Sequence, residues 1–169
     1  MRVIGIDPGT AITGWGVVEY TNGHLTSVDY GCIKTSTTQS RAERLKQIYL
    51  ALLDLIAATT PDVMAIEKIF FNTNVKTALS VGQARGVCLL AAAIAGLPAY
   101  EYNTSEVKNV IAGYGRSTKT EVASRVKELL ALEQTPRPDD VTDALAIAAT
   151  HVVLSVPLRI QQQGERDKP

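Results

Sequence analysis

Short apolar runs alternate with longer segments of helical period along this chain, and their order predicts an α/β fold. Residues 2–7, Arg-Val-Ile-Gly-Ile-Asp, form a compact, partly β-branched run suited to a strand buried on both faces. Pro8 and Gly9 end it, because proline cannot continue a central strand and glycine permits a tight turn. A second strand is predicted over 13–20, with Trp15, Val17 and Val18 as its bulky apolar members. Asn22-Gly23 marks a hairpin turn, and a third strand follows over 24–34. Three consecutive strands of this kind predict an antiparallel meander.

The pattern then changes period. Ser40-Arg41-Ala42-Glu43 matches a capping box, and Leu45, Ile48, Leu52, Leu55 and Ile56 continue at close to helical spacing until Thr59-Thr60-Pro61. Residues 63–67, Val-Met-Ala-Ile-Glu, read as a fourth strand. A long helix is predicted over 75–95, ended by Gly96 and Pro98. Its second half, 87–95, is apolar almost all round, which predicts burial on several sides, either in the core or at a subunit interface. Gly82 and Gly86 permit close approach of another element. A fifth strand (99–103), a short helix (105–111), a loop (113–117) and a helix opened by the capping box Thr118 to Glu121 and running to about 131 come next. After the stiff connector 134–138, a last helix spans 139–155. The expected architecture is a mixed five-stranded sheet with three antiparallel N-terminal strands, flanked by helices, in one domain over 1–156 with a disordered tail over 157–169.

Composition changes this picture little. A chain of 169 residues, 46% hydrophobic and 20% charged, is ordinary for a soluble globular protein. No apolar stretch reads as a membrane span, and a chain that begins directly with a strand predicts no secretory signal. Cys32 and Cys88 are too few for a disulfide framework and are expected as buried free thiols of a cytosolic protein. His24 beside the turn is expected to be solvated, and His151 to be packed or on the surface. The net charge of zero permits polyanion binding only if the charges segregate. They do so in sequence: Lys68, Lys76, Arg85, Lys108, Arg116 and Lys119 are opposed over that span only by Glu101 and Glu106. A basic rim around an acidic centre is the expectation.

Candidate chemistry lies in the acids at element ends. Asp7 closes the first strand and Glu67 the fourth, while Asp140 and Asp143, three apart, share one face of the last helix. Taken singly, each has an ordinary role, Asp7 as a turn cap and the helix acids as partners of the helix dipole. Asp139, on another side, is expected to be the cap. Taken together, four carboxylates repel: two charges ~4 Å apart cost about 4 kcal/mol at an effective dielectric of 20. Such a cluster calls for cations, and oxygen-only donors select Mg²⁺ or Mn²⁺ over zinc. Two such ions at about 3.5–4 Å suit in-line displacement at phosphorus, hence phosphodiester hydrolysis.

Gly5-Ile6-Asp7-Pro8-Gly9-Thr10, Ala65-Ile66-Glu67, Gly82-Gln83-Ala84-Arg85-Gly86 and Asp140-Val141-Thr142-Asp143-Ala144-Leu145-Ala146 together resemble, in order, the RuvC crossover-junction endodeoxyribonucleases. The resemblance covers nearly the whole chain except the tail. It implies a ribonuclease H-like fold, a homodimer, Mg²⁺ (two ions per site, with Mn²⁺ as a substitute), symmetric cleavage of Holliday junctions in recombination and repair, and RuvA and RuvB as partners. The family's catalytic, metal-holding acids fall on Asp7, Glu67, Asp140 and Asp143; the third is a histidine in some members. Its junction-contacting aromatic falls on Phe70, with Phe71 adjacent, and its DNA-contacting lysines on Lys108 and Lys119. Lys76 and Arg116 join them as candidates from the basic span. Three alternatives stay open. The Asp7 turn also occurs in sugar kinases and chaperone-type ATPases, which need two such lobes where this chain has length for one. A non-catalytic junction-binding module would keep the fold, although all four acids are present. The ribonuclease H-like YqgF family shares the acid plan, but the Phe70 loop and the Asp140-x-x-Asp143 pair favour the resolvases.

Overall fold

Five strands pair into one mixed sheet in the computed structural model, which describes residues 1–68 and 75–156. The strands β1 (Arg2–Asp7), β2 (Ile12–Thr21) and β3 (His24–Lys34) form the expected antiparallel meander; β4 (Val63–Glu67) and β5 (Ala99–Tyr102) add to it in parallel, giving the order β3-β2-β1-β4-β5. Asn22 and Gly23 both take positive φ, 54° and 85°, as a two-residue hairpin turn requires. The helices are α1 (Arg41–Thr59), α2 (Val75–Ile94), α3 (Thr104–Ala112), α4 (Lys119–Leu129) and α5 (Asp139–Ser155). Ser40 and Thr118 make both halves of their capping boxes. A third box, Asn103 with Glu106, opens α3 one residue earlier than its spacing suggested. This is the ribonuclease H-like arrangement that the resemblance implied. Among the described residues no helix is long and apolar enough to cross a membrane.

Alternation along the strands sorts side chains between two layers. Ile4, Ile6, Met64 and Ile66 pack with Ile48, Leu52 and Cys88 on the layer formed by α1 and α2. Val3 and Ala65 pack with Val107, Val126 and Leu145 on the layer formed by α3, α4 and α5. The parity of Asp7 and Glu67 is that of Val3 and Ala65, so both carboxylates project towards α5. β1 and β4 are paired up to Ile6 and Ile66, which brings the two acids side by side at the strand ends.

Glycine sets the depth of α5 on the sheet. Gly14 lies opposite Asp7, and a Cβ built on it would fall 2.0 Å from the Asp140 carbonyl oxygen. A Cβ on Gly5 would fall 2.0 Å from the Ala144 carbonyl oxygen. These are backbone atoms of a buried helix and cannot swing aside. Gly14→Ala is therefore expected to cost about 3 kcal/mol, the upper end for overpacking, and to lower the melting temperature by roughly 6–12 °C. An unchanged thermal transition would mean that α5 is free to lift.

Several sequence expectations need correction. Of the two alternatives for 87–95, burial in the core of the single chain does not hold, and the interface alternative stays open: Cys88, Ala91 and Ala92 are buried, but Leu90 and Ile94 are 53% and 62% exposed. Cys32 is only partly buried, because it stands on the edge strand β3, whereas Cys88 is fully buried as expected. Asp139 does not cap α5. The N-cap is Pro138, which makes no side-chain cap, and Asp139 pairs with Arg137 instead. His24 is exposed, while His151 is packed, with Tyr102 Oη 2.7 Å from its Nδ1 and Ser155 Oγ 3.1 Å from its Nε2. Phe70, Phe71 and the tail over 157–169 lie outside the described residues, as does the side chain of Lys76.

Candidate active site

Asp7, Glu67 and Asp143 line one open cleft of about 310 Å³ at the C-terminal ends of β1 and β4. Strand parity delivers the first two, and the close seating of α5 delivers the third. Lys108 and Lys119 line the same cleft, and Val107, Val122 and Ile147 form its apolar wall. Asp140 does not line it. Its carbonyl is pressed towards Gly14 beside β2, yet its charge still reaches Asp7.

Crowding shows in the protonation of Asp7. Burial first, then the charges of Glu67, Asp143 and Asp140 in that order, and a hydrogen bond with the Glu67 carboxyl push its pKa from 3.8 up to about 8. Burial and its carboxylate neighbours thus draw Asp7 towards its protonated form, hydrogen-bonded to the Glu67 carboxyl. Glu67 also accepts a 2.8 Å hydrogen bond from Thr104 Oγ1, at the first position of α3. Thr104 escaped the sequence reading. The signal for it was the capping box of Asn103 and Glu106, which puts residue 104 at the start of a helix immediately after β5.

Lys119 Nζ sits 3.1 Å from Asp143 Oδ2. That hydrogen bond, followed by the Asp143 charge and weaker contributions from Asp139 and Asp7, holds the ammonium above its usual pKa. Asp143 is drawn to Lys119, and no three potential ligands among the described residues form a ready-made metal cage. The donor set nonetheless fits a hard cation. Converging carboxyl oxygens around a carboxyl whose ionisation its neighbours oppose are what a divalent ion relieves.

The remaining basic candidates divide. Arg116 is exposed in the loop before α4 and does not line the cleft. Arg85, counted with the basic rim in the sequence, turns inward instead: its Nη2 lies 2.5 Å from Glu101 Oε1 and its Nε donates to the Glu67 carbonyl at 3.3 Å.

Comparison with known proteins agrees with this geometry. The family model described as "Crossover junction endodeoxyribonuclease RuvC" matches residues 3–151. The protein of that name from Pelotomaculum thermopropionicum is 52% identical over 151 residues, covering 89% of this chain and 92% of the relative. The solved structure of T. thermophilus RuvC in complex with Holliday junction substrate superposes with a TM-score of 0.87 at 38% identity, covering 92% of this chain and 94% of that one. The yeast mitochondrial Holliday junction resolvase Ydc2 shares the fold at a TM-score of 0.61 and 15% identity, covering 88% of this chain and 77% of that one. The chain belongs to the RuvC family of crossover junction endodeoxyribonucleases.

Proposed function

We propose that two copies of this chain resolve four-way DNA junctions by hydrolysing one phosphodiester each, in opposing strands. The observation that carries this reading is the convergence of Asp7, Glu67 and Asp143 in one cleft flanked by Lys108 and Lys119. The matched relatives and the junction-bound relative support the choice of substrate.

Asp7, Glu67 and Asp143, with Asp140 at the edge, would hold Mg²⁺, two ions per site being the number suited to attack and departure at one phosphorus. Bound there, the metal would activate a water and stabilise the leaving oxygen. The protein's own work is separate. Asp7 and Glu67 would present their carboxyl oxygens to the cation, Thr104 keeps Glu67 oriented, and Lys108 and Lys119 draw the scissile phosphate into the cleft. Phe70, with Phe71 beside it, follows β4 in sequence and is assigned to stacking on an unpaired base at the crossover, worth about 1–3 kcal/mol. Lys76 and Arg116 are assigned to the flanking phosphates. RuvA and RuvB, the branch-migration partners implied by the resemblance, would present the junction, in the cytoplasm.

The pairing surface we assign to α2. Leu79, Leu90 and Ile94 are exposed, and Gly82 and Gly86 have open space above them. Residues 79, 82, 86, 90 and 94 recur every three or four positions, so they form one stripe. Two such stripes can approach closely around a two-fold axis, matching the approximate symmetry of the junction.

The test is incubation of the protein with labelled four-way and linear duplex DNA, in Mg²⁺ and in EDTA. Paired nicks in the four-way DNA, in Mg²⁺ only, are expected. Equal cutting of linear duplex would leave a general nuclease. Lys119→Ala should weaken cleavage at low salt, with the deficit shrinking as salt rises, because phosphate contacts release counterions. The Lys119–Asp143 pair is exposed on the lysine side. Such pairs contribute about 0–1 kcal/mol, so the melting temperature should hold within roughly 4 °C. Wild-type cleavage by the variant at low salt would place Lys119 outside the reaction.

A further inference from the structure

The motif Gly82-Gln83-Ala84-Arg85-Gly86 is not explained by the cleft, since none of its residues lines it. Its position explains more. Ala84 is fully buried against the sheet, and Gln83 accepts a 3.2 Å hydrogen bond from Arg41 on α1, so this part of α2 is fixed in rotation. On the inward side, α2 reaches the ends of both strands that carry the cleft acids. Ser80 Oγ lies 2.7 Å from Thr10 Oγ1, three residues past Asp7 in the turn that ends β1. Arg85 Nε donates to the backbone carbonyl of Glu67 itself, and its other arm is held by Glu101.

We propose that Arg85, seconded by Ser80, is a positioning residue for the metal-binding acids, latching α2 to the C-terminal ends of β1 and β4 so that Asp7 and Glu67 stay side by side. The inference rests on the reading of the cleft as the cleavage site.

The physical case for Arg85 is the fork. Its guanidinium is mostly buried, with 21% of the side chain exposed, and it spans a backbone carbonyl and a carboxylate at once. A planar guanidinium can serve two acceptors in fixed directions, which an ammonium on a flexible stem cannot. Glu67 is the last residue of β4. Fixing its carbonyl fixes the peptide plane from which its side chain departs. Like charges on Asp7 and Glu67 repel, which tends to spread the two strand ends. A latch across them holds the acids at the spacing one cation can bridge. Outer partners that orient metal ligands typically change affinity or activity by about 10–100-fold.

The test uses the full-length protein without DNA, titrated with Mn²⁺ and followed by electron paramagnetic resonance, beside junction binding and cleavage. Arg85→Gln is expected to weaken Mn²⁺ binding about tenfold or more. It should lower kcat, leave junction affinity and its salt dependence unchanged, and be partly offset by raised Mg²⁺. Arg85→Lys should recover only a fraction, and Ser80→Ala should move Mn²⁺ affinity in the same direction. Weakened junction binding with a smaller salt dependence would overturn the proposal and return Arg85 to the DNA-contacting rim. A lower melting temperature with normal Mn²⁺ binding and normal kcat per folded molecule would reduce it to a fold contact. Glu67→Gln is run alongside. If it too keeps Mn²⁺ binding and cleavage, the reading of the cleft has failed; if it loses both while Arg85→Gln keeps both, only the latch has failed.

Discussion

Asp7→Asn is expected to cut junction cleavage by roughly 10³-fold or more while leaving junction binding near wild type. A catalytic metal supplies several kcal/mol to the transition state, and about 1.4 kcal/mol is tenfold in rate. The amide removes one ligand charge without touching Lys108 or Lys119. The same substitution should stabilise the metal-free protein, and the sign follows from the pKa. A carboxyl whose folded-state value of about 8 lies above its ordinary 3.8 contributes stability that is fully present below 3.8 and lost as pH rises through 8. Asparagine stays neutral throughout. The variant's advantage in EDTA should therefore widen between about pH 4 and pH 8, at up to about 1.4 kcal/mol per pH unit. Thermal melts at pH 5 and pH 8, with cleavage assays on the same preparations, read both effects. Equal melting differences at the two pH values would mean that Asp7 ionises freely, and wild-type cleavage would remove it from the mechanism.

Leu90→Glu combined with Ile94→Glu is expected to abolish paired cutting. Both side chains are more than half exposed in the single chain, so its own packing should change little. At the centre of an interface each carboxylate costs about 2 kcal/mol or more, so together they weaken a dimer by roughly 10²–10³-fold. Sedimentation should find a monomer at micromolar concentration, and labelled junctions should show isolated nicks in place of symmetric pairs. Mn²⁺ binding should persist, because the acids of one cleft belong to one chain. A double variant that still sediments as a dimer and still cuts in pairs would move the interface off α2. A monomeric parent protein would remove the two-fold mechanism altogether.

The sequence by itself determined the elements and the parity of their side chains. Capping boxes at Ser40 and Thr118, the Asn22-Gly23 turn and the apolar runs are local instructions, settled by backbone hydrogen bonding and side-chain period within a few residues. Because a strand alternates strictly, ending β1 on Asp7 and β4 on Glu67 already placed both acids on the layer opposite Ile4, Ile6 and Ile66. What only the tertiary structure decided were distances between elements remote in sequence. The bare backbone at Gly5 and Gly14 lets α5 descend until Asp143 enters the cleft, and the same rotation leaves Asp140 at its edge. Neither glycine carries a local turn signal that would reveal this role. Arg85 reads as one more basic residue until the fold places a carbonyl and a carboxylate within reach of its fork. Asp139 reads as a cap until Arg137 is seen beside it. The face of α2 that is covered and the face left open depend on which side meets the sheet, and an all-apolar stretch has no period from which to read that. Local propensity encodes what each segment is; the separation of charges, and with it the chemistry, is a property of how the segments pack.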